Sequence, residues 1–94
     1  MSYAIAHNRA QDRFETSVDG QHCRLDYRQE GTLVYLTHVG VPPPVESRGI
    51  AAALTQAALD WARAEALAVV PICPYVVAWI KRHPEYQALV RQSR

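Results

Sequence analysis

Through the first forty positions the chain alternates apolar and polar residues; from residue 49 the repeat becomes that of a helix. Residues 13–18 alternate, and Asp19-Gly20 follows them. That dipeptide tolerates the positive φ values of a tight hairpin. In the next run Cys23, Leu25 and Tyr27 share one face, with His22, Arg24, Asp26 and Arg28 on the other. Gln29-Glu30-Gly31 predicts a second turn, and residues 32–41 the longest strand, dense in β-formers. Pro42, Pro43 and Pro44 end it, because they bring no N–H donors. A short leading strand is expected at residues 3–6.

The helical repeat is carried by Ile50, Ala53, Leu54, Ala57, Ala58, Trp61 and Ala62, three and four residues apart. It predicts a helix from Gly49 to about Ala66, whose alanines favour helix and allow close packing. Residues 67–72 are wholly apolar, as in a buried parallel strand. Pro74 suits the first turn of a second helix running through Lys81, and Pro84 interrupts it. A final turn or two is expected from Glu85 to Arg91. The predicted order is β-β-β-β-α-β-α, an antiparallel meander feeding one right-handed β-α-β unit, hence an α+β fold.

Composition narrows the setting. Ninety-four residues predict a single domain over 1–94 with one modest core. A net charge of +1 supplies no global field toward nucleic acid or anionic lipid. Two cysteines with no C-x-x-C spacing make neither a disulfide framework nor a metal motif. No run approaches membrane-spanning length, and the first eight residues are too short for a signal peptide. The cytoplasm is the expected compartment.

Two places carry candidate chemistry. Glu46-Ser47-Arg48-Gly49-Ile50-Ala51 opens the first helix. A glycine turn there exposes backbone N–H groups at the positive end of the helix dipole, which suits a phosphate. Arg48 adds a cation for a charge-assisted contact. The plainer reading is a strand-to-helix loop with Ser47 as N-cap. Cys73, beside Pro74, falls at the start of the second helix, where the dipole lowers a thiol pKa. Its plainer reading is a small buried hydrophobe at a strand end. Cys23 reads as core. His38, late in the long strand, either accepts a proton or faces solvent. Together the turn and the thiol suggest a site for a phosphate-bearing thioester cofactor.

The segments His38-Val39-Gly40-Val41-Pro42-Pro43, Arg48-Gly49-Ile50-Ala51, Val70-Pro71-Ile72-Cys73-Pro74-Tyr75 and Arg82-His83-Pro84-Glu85-Tyr86 resemble the minimal GCN5-related N-acetyltransferases. The resemblance covers roughly residues 32–90. It implies a fold in which the strands flanking the long helix splay apart, with a C-terminal helix after them. It also implies acetyl-coenzyme A as cofactor. The pantetheine arm would pair with the strand backbone at His38, Val39 and Val41, and the pyrophosphate would sit on Glu46, Ser47, Arg48, Gly49, Ile50, Ala51 and Ala52. Cys73 matches the family's thiol near the acetyl group.

Two positions depart from the wider family. Glu46 stands where Arg or Gln is usual, and a carboxylate beside a pyrophosphate is unfavourable unless it points away. Ile80 falls where larger members often carry the tyrosine that protonates the leaving thiolate, so either Tyr75 or Cys73 substitutes for it or catalysis is slow. The expected function is therefore transfer of acetyl from coenzyme A to an amine, of a protein or peptide if the site is open. Neither nucleic acid nor membrane is an expected partner. The alternative is a coenzyme A-binding or protein-interaction module with little turnover.

Overall fold

A computed structural model describes residues 3–91; residues 1–2 and 92–94, the ends of the expected domain, lie outside the described residues. Five strands form one sheet in chain order: β1 (Ala6–Asn8), β2 (Arg13–Val18), β3 (Gln21–Glu30), β4 (Leu33–Gly40) and β5 (Ala68–Pro71). The first four run antiparallel, and β5 lies parallel to β4. Helix α1 (Ile50–Ala64) makes the crossover, and α2 (Pro74–Arg82) follows β5. Short 3-10 turns occupy Arg9–Gln11, Pro43–Val45 and Pro84–Leu89. This is the expected α+β order.

The leading strand forms at Ala6–Asn8 and not at residues 3–6. Asn8 fixes the register, because its side-chain amide donates to Glu15 on β2 at 3.1 Å while its carbonyl oxygen accepts the Gln11 N–H. Tyr3 instead reaches out of the sheet, and its hydroxyl donates to the Arg48 carbonyl at 2.6 Å.

The alternation read from the sequence gives the sheet one apolar face. Phe14 pairs with Leu25, Tyr27 with Leu36, and Val34 with Val69. All six are buried, as are Ile50, Leu54, Ala58 and Ala62 of α1, which recur every four residues along the helix that packs there, and Leu59 beside them. Leucine-sized side chains gain roughly 1.5–3 kcal/mol each on burial, so this interface dominates stability. The opposite face carries linked charges. Arg13 and Arg24 both approach Asp26, and His22 bonds Glu15 at 3.1 Å.

One irregularity in β4 shapes the site. His38 pairs with Asp26 and Leu36 with Tyr27, so Thr37 has no partner of its own and forms a β-bulge. The Thr37 hydroxyl donates to the Asp26 carbonyl at 3.2 Å. Successive side chains normally alternate, so the extra residue flips every position beyond it. Unbroken alternation from Val34 and Leu36 would have put His38 on the helix side. The bulge sends Val39 and Val41 there.

Two motifs turn out to be fasteners. Helix α1 ends with Ala66 at φ +57°, where the Leu67 N–H bonds the Ala62 carbonyl at 2.8 Å. In Arg82-His83-Pro84-Glu85-Tyr86, the His83 ring stacks on Trp79 at 3.7 Å, and its Nδ1 donates to the Trp79 carbonyl at 2.8 Å. Arg63 of α1 lies over the Tyr86 ring and donates to the Glu85 carbonyl. The motif straps the C-terminal turn to α1.

Candidate active site

Strands β4 and β5 stay paired only from Leu33–Ala68 to Leu36–Pro71. At that point the Leu36 carbonyl accepts the N–H groups of both Ile72 and Cys73, at 3.0 and 3.1 Å. Residue 71 is a proline and extends no ladder. Beyond Leu36 the β5-facing edge of β4 has no strand partner among the described residues. The two strands splay as the resemblance implied.

A groove of about 460 Å³ opens in this region. Val39 and Val41 form its strand wall, and Tyr75 of α2 stands across from them. Its remaining wall is the turn into α1: Glu46, Ser47, Gly49, Ile50, Ala51 and Ala52. The volume is that of a small-ligand site.

The turn leaves donors free. Gly49 is the N-cap of α1 in a left-handed conformation, φ +79°, and no side chain caps the helix. The first bond into the helix is Ala53 N–H to the Gly49 carbonyl at 3.0 Å. Among the described residues, the N–H groups of Ile50, Ala51 and Ala52 have no acceptor in the protein. Three unpaired donors at the positive end of a fifteen-residue helix are an arrangement whose partial charge suits an anion. Ser47 adds a second left-handed residue, φ +65°, so the expected Ser47 cap does not form and the turn carries strain.

The other expected site residues divide. Tyr75 sits in the first turn of α2, half-buried in the groove. Burial pushes its phenol pKa above the usual value, with Arg82 pulling the other way, so it stays protonated at neutral pH. Cys73 is the N-cap of α2, as its spacing predicted, but its thiol makes no capping bond and packs into the core at 9% exposure. His38 is exposed, and the bulge keeps its imidazole out of the groove wall. Its Nε2 lies 3.2 Å from where a Cβ on Gly40 would be, so that glycine makes room for the ring. Arg48 does not line the groove; its guanidinium holds Asp19 at 2.7 Å. Ile80 is buried away from the groove, beside a second hollow between β5 and α2.

That second hollow, about 400 Å³ with Val70, Ile72 and Val77 in its walls, was not foreseen. Ile72, expected in the buried strand, falls one residue past the end of β5 and is 54% exposed beside this hollow.

Known proteins match this arrangement. The family model for the GCN5-related N-acetyltransferases matches residues 13–89. Protein NATD1 of Mus musculus is 36% identical over 90 residues, covering 93% of this chain and 82% of the mouse protein. Protein NATD1 of Xenopus tropicalis is 34% identical over 93 residues, covering 96% of this chain and 85% of its own. The NMR solution structure of a GCN5-like protein from Staphylococcus aureus superposes with a TM-score of 0.75 at 18% identity, covering 99% of this chain and 92% of that one.

Proposed function

The chain belongs to the GCN5-related N-acetyltransferase family, and on that premise we propose that it binds acetyl-coenzyme A in the groove and transfers the acetyl group to an amine. The observation that carries the reading is the set of three unpaired N–H groups at Ile50, Ala51 and Ala52, on the wall of the groove beside a free strand edge. The donors suit a pyrophosphate. The edge at His38, Val39 and Val41 suits the amide-bearing pantetheine arm, which would pair with it as an added strand.

In the transfer step the amine nitrogen attacks the thioester carbonyl, the new C–N bond forms, and the C–S bond breaks. The amine loses its proton to water, and the departing thiolate takes one from the Tyr75 hydroxyl. The phenol is protonated at neutral pH and so has a proton to give, although burial makes it a weaker acid than a free tyrosine. Direct transfer is favoured over an acetyl-Cys73 relay because the Cys73 sulfur packs in the core and does not line the groove. The acceptor is best read as the amine of a protein or peptide, since β1 and β2 are joined by one short 3-10 turn, Arg9–Gln11, with no buried residue. A cytoplasmic setting accords with both cysteines being free thiols.

Thermal unfolding with added acetyl-coenzyme A tests the reading. A ligand bound only by the folded state raises the melting temperature with concentration. Tyr75→Phe should keep the shift and lower the rate of acetyl transfer to a lysine-containing peptide mixture. No shift at millimolar acetyl-coenzyme A overturns the reading.

A further inference from the structure

The groove meets a polyanion with the wrong charge. Of the residues lining it, Glu46 is the only charged one. The cation adjoining the turn is Arg48, directly before Gly49. Its charge is engaged elsewhere: Nη1 donates to the Asp19 carboxylate at 2.7 Å. Asp19 occupies the tight turn between β2 and β3, twenty-nine residues away in sequence. The backbone on either side of Arg48 is fixed, by the Tyr3 bond to its carbonyl and by the left-handed Ser47 and Gly49. Its side chain is not. Arg48 remains 47% exposed and Asp19 66% exposed, so the pair is screened by water and exchangeable.

We propose that Asp19 competes with the ligand's phosphate for Arg48. Without ligand the guanidinium rests on Asp19. When a phosphate settles on the free N–H groups of α1, Arg48 leaves the carboxylate for the phosphate oxygens, a partner that a guanidinium meets in two-pronged fashion. Asp19 then faces solvent. The carboxylate therefore sets the affinity for phosphate without touching the ligand. This rests on the coenzyme A reading above.

Asp19→Asn is a suitable probe, because Asn tolerates the φ of +49° found there and Asn-Gly suits a tight hairpin. Calorimetric titration with coenzyme A at low salt should show the variant binding about two- to five-fold tighter, the range spanned by exposed ion pairs. Arg48→Gln should bind more weakly than the parent, and Asp19→Asn should add nothing in the Arg48→Gln background. Titration with dephospho-coenzyme A locates the phosphate. A retained gain assigns Arg48 to the pyrophosphate, and a lost one to the 3′-phosphate. Equal affinity for coenzyme A in parent and Asp19→Asn overturns the proposal, as does a gain that persists without Arg48. Absence of any coenzyme A binding by the parent overturns the functional reading itself.

Discussion

The hydroxyl of Tyr86 donates to the carboxylate of Asp60 at 2.7 Å, joining the C-terminal turn to the outer side of α1. The Tyr86 ring is buried, and Arg63 lies over its face at 4.6 Å. Tyr86→Phe keeps the ring and removes the bond. The expected cost is about 1 kcal/mol, which lowers the melting temperature of a domain this size by roughly 4–8 °C. Burial, and then the bond to Asp60, push the phenol pKa up from its usual 10. The fold thus favours the protonated phenol. Its contribution is complete below pH 10 and is lost as pH rises through the folded-state value. Denaturant midpoints measured from pH 8 to 11 should fall less steeply for Tyr86→Phe than for the parent.

Acid acts through His7. Its imidazole is stacked on Phe14 at 4.1 Å and shares a 2.7 Å hydrogen bond with the Tyr27 hydroxyl. Desolvation by burial, then the Arg9 charge, lower its pKa from 6.5. Because the fold prefers the neutral ring, this contribution is present above pH 6.5 and is lost as pH falls through the folded-state value. Urea midpoints between pH 7 and 5 should decline more gently in His7→Phe. An unchanged slope would assign the acid sensitivity elsewhere.

Ala66 offers a stabilising substitution. It is exposed and holds a φ of +57° at the end of α1, a conformation that glycine adopts without steric penalty. Ala66→Gly should stabilise the protein by about 0.5–1 kcal/mol, the left-handed strain outweighing the added freedom of the unfolded chain. A lower midpoint in chemical denaturation would contradict that balance.

At the turn, Gly49 and Glu46 should respond in opposite directions. A Cβ on Gly49 would meet no atom within 4 Å, so its requirement lies in the φ of +79° and not in space. Gly49→Ala should cost roughly 1–2 kcal/mol of stability and weaken coenzyme A binding as the turn relaxes. Glu46→Gln should tighten it, by a margin that shrinks with added salt. Titrations at two ionic strengths read both effects.

The two cysteines should separate by reactivity. Cys23 is fully buried, and desolvation raises its pKa, which suppresses the thiolate. Cys73, 9% exposed at the start of α2, should alkylate before Cys23 with iodoacetamide, and bound coenzyme A should leave that rate unchanged, because the sulfur lies outside the groove. Under direct transfer Cys73→Ala keeps most of its activity. An acetyl thioester found on Cys73 by mass spectrometry would instead establish the relay.

Much of this fold could be read from residue periodicity. Cys23, Leu25 and Tyr27 are buried on one face as their spacing required, and Asp19-Gly20 makes its turn. The glycine turn and the helix it opens also lie where they were expected, while the splay beyond Leu36 was implied by the family resemblance alone. What periodicity cannot convey is an interruption of itself. Nothing in Thr32 through Val41 marks Thr37 as the residue without a partner, because the bulge is a matter of pairing with β3. The same holds for Arg48. Its neighbours advertise a phosphate contact, whereas its actual partner, Asp19, is brought near only by the sheet. Charge pairing across distant segments leaves no local trace.

The bulge makes the inward face of β4 a matter of pairing more than of composition. Were Thr37 drawn into the ladder opposite Asp26 with the chain length unchanged, the segment beyond it would advance by one, carrying His38 and Gly40 into the places of Val39 and Val41 and exchanging an apolar wall for an imidazole and a gap. Removing Thr37 has the opposite effect. Leu36 still faces Tyr27, His38 still faces Asp26, the alternation becomes regular, and Val39 and Val41 stay inward. A deletion at this one position should therefore spare the groove, whereas a slip in pairing that keeps every residue should not.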